Sequence, residues 1–177
     1  MSPRTFAPAD RAASTSPPLI ERALSLVRVD FPPERARPQT VWLAVATFVS
    51  IVVSLATDAL LVAVGTALFP VTRGYVHFRF SDYGKFTVIG VVFACVAWPI
   101  VTRVSSSPRW LFFRLAVLVT LFLWLPDLFI LWKGQPTKAV AVLMVMHLAI
   151  ALVTYNALVH VAPANGSARR ADFPSPG

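Results

Sequence analysis

The sequence predicts an all-α membrane protein: a bundle of four transmembrane helices with a disordered, proline-rich N-terminal tail and a short C-terminal tail. Two observations carry this fold class. Of the 177 residues, 56% are hydrophobic and only 14% are charged, whereas soluble domains contain about 25% charged residues. Residues 110–161 also contain two apolar runs of roughly 23 residues, divided by a short polar turn. A helix of about 20 apolar residues spans the ~30 Å hydrocarbon core of a bilayer.

The chain divides into a cytoplasmic tail at 1–40, a transmembrane domain at 41–161 and a disordered tail at 162–177. Prolines and charges dominate the first 40 residues, which therefore lack the apolar surface needed for a core. Within them, residues 16–29 place apolar side chains on one helical face, which predicts an amphipathic helix lying on the membrane surface. Chance periodicity in a disordered tail is the alternative. The apolar face consists of Leu19, Ile20, Ala23, Leu24 and Val27.

The four transmembrane helices are predicted at 41–69, 86–104, 110–132 and 139–161. Between the first two helices, apolar and polar residues alternate from Tyr75 to Ser81, and Asp82-Tyr83-Gly84 then supplies turn residues. This pattern predicts a short strand or hairpin at the outer face of the membrane.

Small and hydroxyl-bearing residues recur on one face of each predicted helix, where they let a neighbouring helix approach closely. On the first helix, three of them fall on one line with Asp58, because the separations of seven, four and seven residues match the helical repeat. The predicted packing positions are Thr47, Ser54, Gly65, Gly90, Ala94, Ala97, Ala116, Thr120, Ala151 and Thr154.

The distribution of positive charge predicts the orientation. The net charge is +8, but the Lys and Arg residues lie almost entirely between apolar runs, where they set topology and contact lipid headgroups. Nucleic-acid binding requires a basic patch on a folded soluble surface, so no nucleic-acid partner is expected. With both termini in the cytoplasm, the inner segments hold eleven Lys and Arg residues and the outer loops hold five. The protein is thus predicted to lie in a bacterial plasma membrane with both ends inside.

Three ionisable residues are expected to be buried within the transmembrane segments: Asp58, Asp127 and His147. At a rise of ~1.5 Å per residue they lie roughly 7–17 Å below the outer surface, within reach of one shared cluster. Such groups pair with one another or mark an ion pathway. Two interpretations stay open, a lock between helices and a site that handles protons or cations. The working hypothesis pairs Asp58 with His147. Asp127 is the weakest member of the cluster, because a half-solvated position next to Pro126 is an equal alternative for it.

The sequence contains no Gly-rich phosphate loop, zinc-protease HExxH, nucleophile elbow or CxxC motif. The single cysteine, Cys95, excludes an intrachain disulfide and a Cys-rich metal site. His147 and His160 are about 140° apart around a helix, which disfavours an axial haem pair. We therefore expect no cofactor, no metal and no enzymatic activity. A lipid-modifying enzyme that uses the two acids and the histidine is the third alternative.

Residues 75–161 carry a scattered pattern of aromatic, basic and proline residues that resembles an uncharacterised actinobacterial family of small four-helix membrane proteins. The family has a Gly-Pro near the outer end of its third helix, where this chain has Leu125-Pro126-Asp127. The resemblance implies four helices and singles out His147, but it implies no activity. The matching positions are Trp98, Arg103, Arg109, Trp110, Pro126, Thr137, Met146 and His147.

Two functions follow as hypotheses. The leading one is a non-enzymatic accessory or scaffold subunit of a membrane or envelope complex, in contact with lipid and with a membrane protein partner or further copies of itself. It rests on the small-residue faces and on the lack of a catalytic motif. The second is a small proton-coupled carrier that works as a homodimer with Asp58 as its proton site, similar to the small multidrug transporters, which also carry one membrane acid in helix 1.

Overall fold

The computed structural model describes residues 37–164, together with Leu24 and Val29. The amphipathic helix predicted at 16–29, apart from these two residues, and the C-terminal tail from residue 165 onward lie outside the described part of the chain. The described range contains four long helices, all of them long and apolar enough to cross a membrane. They are α1 (Thr40–Leu68), α2 (Phe80–Val104), α3 (Pro108–Trp132) and α4 (Thr137–Val161).

The predicted four-helix transmembrane fold is confirmed, and the protein is a multi-pass integral membrane protein. Large apolar side chains remain exposed along all four helices, as expected for surfaces that face lipid tails. Such exposure in water would be an aggregation hazard. In a bilayer, lipid tails would cover these apolar side chains, which the bundle itself does not bury.

Helix ends follow from local residues. α3 begins at Pro108, whose fixed φ suits the first helical position and whose missing N–H costs nothing there. The turn after α3 contains Gly134 with φ +86°, a left-handed conformation that glycine adopts freely, and its amide donates to the Leu131 carbonyl at 2.9 Å. Pro136 then precedes α4. These residues join α3 and α4 into a tight antiparallel hairpin.

The segment between α1 and α2 forms two 3₁₀ turns, Pro70–Thr72 and Val76–Phe78, so the predicted strand or hairpin is wrong. α2 also begins at Phe80 rather than at residue 86. A strand would point Tyr75 and Phe78 to opposite faces, whereas residues three apart share a face in a 3₁₀ turn. Both rings consequently pack together, 5.2 Å between centroids, and Phe78 is buried. The free energy gained by burying these aromatic side chains favours the 3₁₀ turns over the strand that the alternating pattern predicts.

α4 is the central helix because it packs against the three others, most extensively against α1. α1 approaches α4 closely at Gly65, where a Cβ atom would lie 2.9 Å from Val142 Cγ2. α3 packs chiefly on α4 and has few contacts with α2. The bundle is therefore tightest between α1 and α4 and loose where α2 faces α3 and α4.

Two apolar clusters close the two ends of the bundle. The Trp98 cluster includes Trp98, Phe112 and Leu158, and the Phe78 cluster includes Phe78 and Met146. We call these ends the Trp98 end and the Tyr75 end. At the former, Trp98 Nε1 donates to the Ala162 carbonyl at 2.8 Å and satisfies one of the free carbonyls that follow α4. The buried polar side chains lie mostly between the two clusters.

Basic side chains stack on aromatic rings at both ends of the bundle. The Arg114 guanidinium lies 3.5 Å from the ring centroid of Trp110 at the Trp98 end. At the Tyr75 end, Lys138 Nζ lies 4.9 Å from the ring centroid of Phe69. Cations paired with aromatic rings are typical of the headgroup region. Their positions place the two ends of the bundle at the two membrane interfaces.

Candidate functional site

An acid–imidazole pair connects α3 to α4. Asp127 Oδ2 lies 3.0 Å from His147 Nδ1, at a contact between the two arms of the helical hairpin. Asp127 is 5% exposed, whereas about a quarter of the His147 side chain is exposed. Neither atom makes a hydrogen bond of good angle with another described residue, so we describe the contact as a close approach of an acid and an imidazole. Of the two alternatives for Asp127, the structure thus shows the buried one.

Asp58, on α1, is the third ionisable residue of this region and is fully buried. Thr87 Oγ1 of α2 donates a 2.6 Å hydrogen bond to Asp58 Oδ2, whereas Asp58 Oδ1 has no hydrogen-bond partner among the described residues. Asp58 interacts with His147 only through the longer-range field of its charge. The hypothesis of a direct Asp58–His147 pair is therefore wrong, because the rotation of α1 directs Asp58 to α2. His147 instead meets the acid of α3.

Tyr75 is a neighbour of this site that the sequence analysis missed, because a strand was predicted there. Its hydroxyl is buried and has no hydrogen-bond partner in the part of the chain that the structure describes, and its ring packs against the Phe78 cluster. Burial, and then the negative charge of Asp127, raise the pKa of the Tyr75 hydroxyl above the usual value for tyrosine. Tyr75 thus lies close enough to the Asp127–His147 pair for the charge of Asp127 to act on its hydroxyl.

A cavity of about 880 Å³ lies between α2, α3 and α4. Asp127 and His147 form part of its wall, and His77 and Asp82 lie at its Tyr75 end. Its volume is in the range of pockets that hold drug-sized molecules. Most of the remaining lining is apolar or small, and its polar members are threonines and tyrosines: Thr87, Thr120, Thr154, Tyr83 and Tyr155.

The cavity opens sideways between α2 and α3. Lining residues on both helices are also exposed on the outer surface of the bundle, which places the opening within the apolar span. These residues are Phe86, Ile89 and Phe93 on α2, and Leu115, Val119 and Leu123 on α3. A membrane-soluble molecule has an apolar entrance to the cavity from the bilayer.

Most of the predicted packing residues line this cavity. Gly65 and Ser54 are buried in α1, and the Thr47 hydroxyl donates to the Leu43 carbonyl of its own helix. Seven residues lie on the cavity wall: Gly90, Ala94, Ala97, Ala116, Thr120, Ala151 and Thr154.

Gly90 is the one of these residues that lies in open space. A Cβ atom at Gly90 would meet no heavy atom within 4 Å, so its assignment as a packing residue is wrong. Of the others, Ala94 and Ala97 also pack against the Trp98 cluster. Small side chains permit close packing but equally leave volume where helices diverge, and α2 and α3 diverge here.

The Thr87–Asp58 hydrogen bond gives a direct prediction. Replacing Thr87 with Val leaves the buried Asp58 carboxyl without its donor and lowers the free energy of unfolding by about 2 kcal/mol, since hydrogen bonds to charged groups contribute roughly 1.5–3 kcal/mol. Thr87→Ser keeps the donor and costs about 0.8 kcal/mol for the lost methyl group. Unfolding in mild detergent measures both changes. Equal losses in the two variants would contradict the role of the hydroxyl.

Comparisons of the chain with protein-family models, with curated proteins and with solved structures found no significant match. The resemblance to the actinobacterial family therefore stays a prediction. The assignment of the candidate site therefore depends only on the positions of its side chains.

Proposed function

We propose that this protein is a non-enzymatic carrier that binds a lipophilic cation in the cavity between α2, α3 and α4. The observation that supports this most is the acid–imidazole pair, Asp127 and His147, in the wall of a large apolar cavity with a sideways opening. Cation and proton then compete for the same carboxylate. We therefore assign the proton site to Asp127 and His147 rather than to Asp58, the residue that the sequence favoured.

The charge of the cavity favours a cation. Asp82 and Asp127 both line it, and among the described residues no Lys or Arg does so. With His77 and His147 neutral, the wall is negatively charged. A buried charge requires a partner of opposite sign, and an apolar body on that partner suits the remaining walls. An amphipathic or fully lipophilic cation meets both requirements.

Proton binding opposes cation binding at every titratable group that faces the pair. Protonation of Asp127 removes a negative charge, and protonation of His147 adds a positive one. Two further titratable groups interact with the pair through charge, Asp58 of α1 with His147 and Tyr75 of the loop with Asp127. Asp82 and His77 line the cavity at its Tyr75 end. With both termini in the cytoplasm, that end faces outward. External protons then release the cation from the outer side of the cell membrane.

Binding of tetraphenylphosphonium to the purified protein in mild detergent tests this proposal. We expect saturable binding that weakens as the pH falls, by up to about tenfold per pH unit for one linked proton. Asp127→Asn should lose most of the affinity. Asp58→Asn is the matched control, since Asp58 is a buried acid that does not line the cavity, and it should weaken binding far less than Asp127→Asn.

Either of two outcomes would reject the proposal: binding that does not depend on pH, or unchanged affinity in Asp127→Asn. Transport is then measured in proteoliposomes as uptake of the same cation driven by a pH gradient. The expected uptake requires Asp127 and is absent from protein-free vesicles.

The accessory or scaffold role is the second candidate, and the exposure of α3 favours it. Only 11% of the most apolar stretch of α3 is buried within the bundle, against 33% for α2 and α4. A helix of a partner protein would fit beside it. Native mass and composition of the protein, purified in mild detergent from its own cells, separate the two functions. A stoichiometric second protein supports the accessory role, and a homodimer supports the carrier.

A further inference from the structure

We propose that the buried face of α1 binds a file of water molecules that links Ser50, Ser54 and Asp58 and forms a proton route to Asp58. This site is separate from the cavity and does not depend on the cation that the cavity binds. It lies on the face of α1 that packs against α2 and α4.

Three oxygen atoms on this face lack partners. Ser50, Ser54 and Asp58 are each 0% exposed, and Ser50 Oγ, Ser54 Oγ and Asp58 Oδ1 have no hydrogen-bond partner within the described chain. Buried polar atoms are nearly always hydrogen-bonded, to protein or to ordered water. The buried face of α1 therefore has three oxygen atoms that need hydrogen-bond partners and find none among the described residues.

Other hydroxyls of α1 behave differently. Those of Thr47, Thr57 and Thr66 each donate a 2.8 Å hydrogen bond to the carbonyl four residues earlier. This bond within the helix is the usual arrangement for a hydroxyl in an apolar segment. Because Ser50 and Ser54 do not adopt it, their hydroxyls remain free for a ligand.

The spacing fits one water molecule between each pair. Residues four apart on a helix have Cβ atoms about 5–6 Å apart. Two hydrogen bonds of about 2.8 Å through one oxygen cover the same distance. One water between Ser50 and Ser54, and another between Ser54 and Asp58, satisfy all three orphan atoms. Each water then has two side-chain partners, the lower end of the usual range for buried water.

The two ends of the file differ. At one end Asp58 also accepts the hydrogen bond from Thr87, a residue of the cavity wall. At the other end the next position is Ala46, which is fully buried within the Trp98 cluster. A proton that enters at Ser50 moves along the file because each member releases one of its own protons as it receives one, in the order Ser50 hydroxyl, water, Ser54 hydroxyl, water and Asp58, whose carboxylate keeps the last proton. The route is closed at the Trp98 end.

Water-edited solid-state NMR of the full chain in bilayers tests the hydration directly. With ¹³C-labelled serine and valine, the Ser50 and Ser54 signals should receive magnetisation from water several times faster than Val91, a buried apolar residue of α2. Ser106, an exposed loop residue, gives the upper reference. Transfer to both serines as slow as to Val91 would overturn the proposal. The measurement contains no cation, so it is independent of the carrier proposal.

The sign of a stability change gives a second test. If water satisfies the hydroxyls, Ser50→Ala and Ser54→Ala each lower the Tm in detergent, because the bound water loses a partner. If the hydroxyls are dry and unpaired, removing them raises the Tm, and the proposal fails. Thr57→Ala, at an exposed hydroxyl bonded within its own helix, is the control and should change the Tm little.

The proton route itself is tested by opening its closed end. Trp98→Ala removes the largest side chain of the Trp98 cluster, and proteoliposomes carrying it should lose an imposed pH gradient several times faster than the parent. Adding Ser54→Val, which replaces one hydroxyl of the file with a methyl group, should restore the slower decay. A leak that persists in the double variant, or no leak in Trp98→Ala, would reject the route.

Discussion

Replacing either Asp127 or His147 with Leu lowers the free energy of unfolding by about 2–3 kcal/mol, whereas replacing both costs much less than the sum. Removing one member of a buried pair leaves the other polar group in apolar surroundings without its partner, which typically costs 3–5 kcal/mol. The partial exposure of His147 places the expected loss below that range. The double variant substitutes an apolar contact for a polar one, and such exchanges are often nearly neutral.

The control cycle combines Asp58→Asn with His147→Leu. Asp58 and His147 are not in direct contact, because Asp58 bonds to Thr87, so their effects should add to within about 0.5 kcal/mol. Denaturant-induced unfolding in mild detergent gives all the required values. A strong coupling between Asp58 and His147, or none between Asp127 and His147, would contradict the pairing that the structure shows.

Gly65→Leu should destabilise the protein strongly, whereas Gly90→Leu should leave its stability almost unchanged. Gly65→Leu inserts a side chain where even a Cβ atom would lie 2.9 Å from Val142 Cγ2. Valine has one strongly preferred rotamer in a helix and cannot turn away cheaply, so α1 and α4 must separate, at a cost of about 3 kcal/mol. Gly90→Leu enters open space and should change the free energy of unfolding by less than about 0.5 kcal/mol.

The two variants also separate stability from ligand binding. Gly90→Leu fills part of the cavity and should lower the affinity for tetraphenylphosphonium at least tenfold while the protein stays folded. Val142→Ala makes room opposite Gly65 and should recover most of the stability lost in Gly65→Leu. Thermal unfolding and equilibrium binding in the same detergent measure both effects. Equal destabilisation by the two leucines would show that α2 and α3 are closer than described.

Much of the architecture follows from local sequence. Four apolar runs of sufficient length require four helices in a bilayer, because only a helix satisfies its own backbone hydrogen bonds there. Pro108 and Pro136 give two of the helix starts, and Gly134 supplies the turn of the α3–α4 hairpin. Asp58, Asp127 and His147 also stand out from sequence alone, since an ionisable group in an apolar run is costly wherever it points.

Which of these groups meet was decided by the tertiary structure. The pairing of His147 with Asp127, the hydrogen bond of Asp58 to Thr87 and the position of Gly90 on a cavity wall all depend on the rotation and order of the helices. In water, an apolar stripe on a helix reveals its inward face. In lipid, helices are apolar all round, so periodicity gives little information on orientation, and small residues on a face do not show whether the neighbouring helix fills the space or leaves it open.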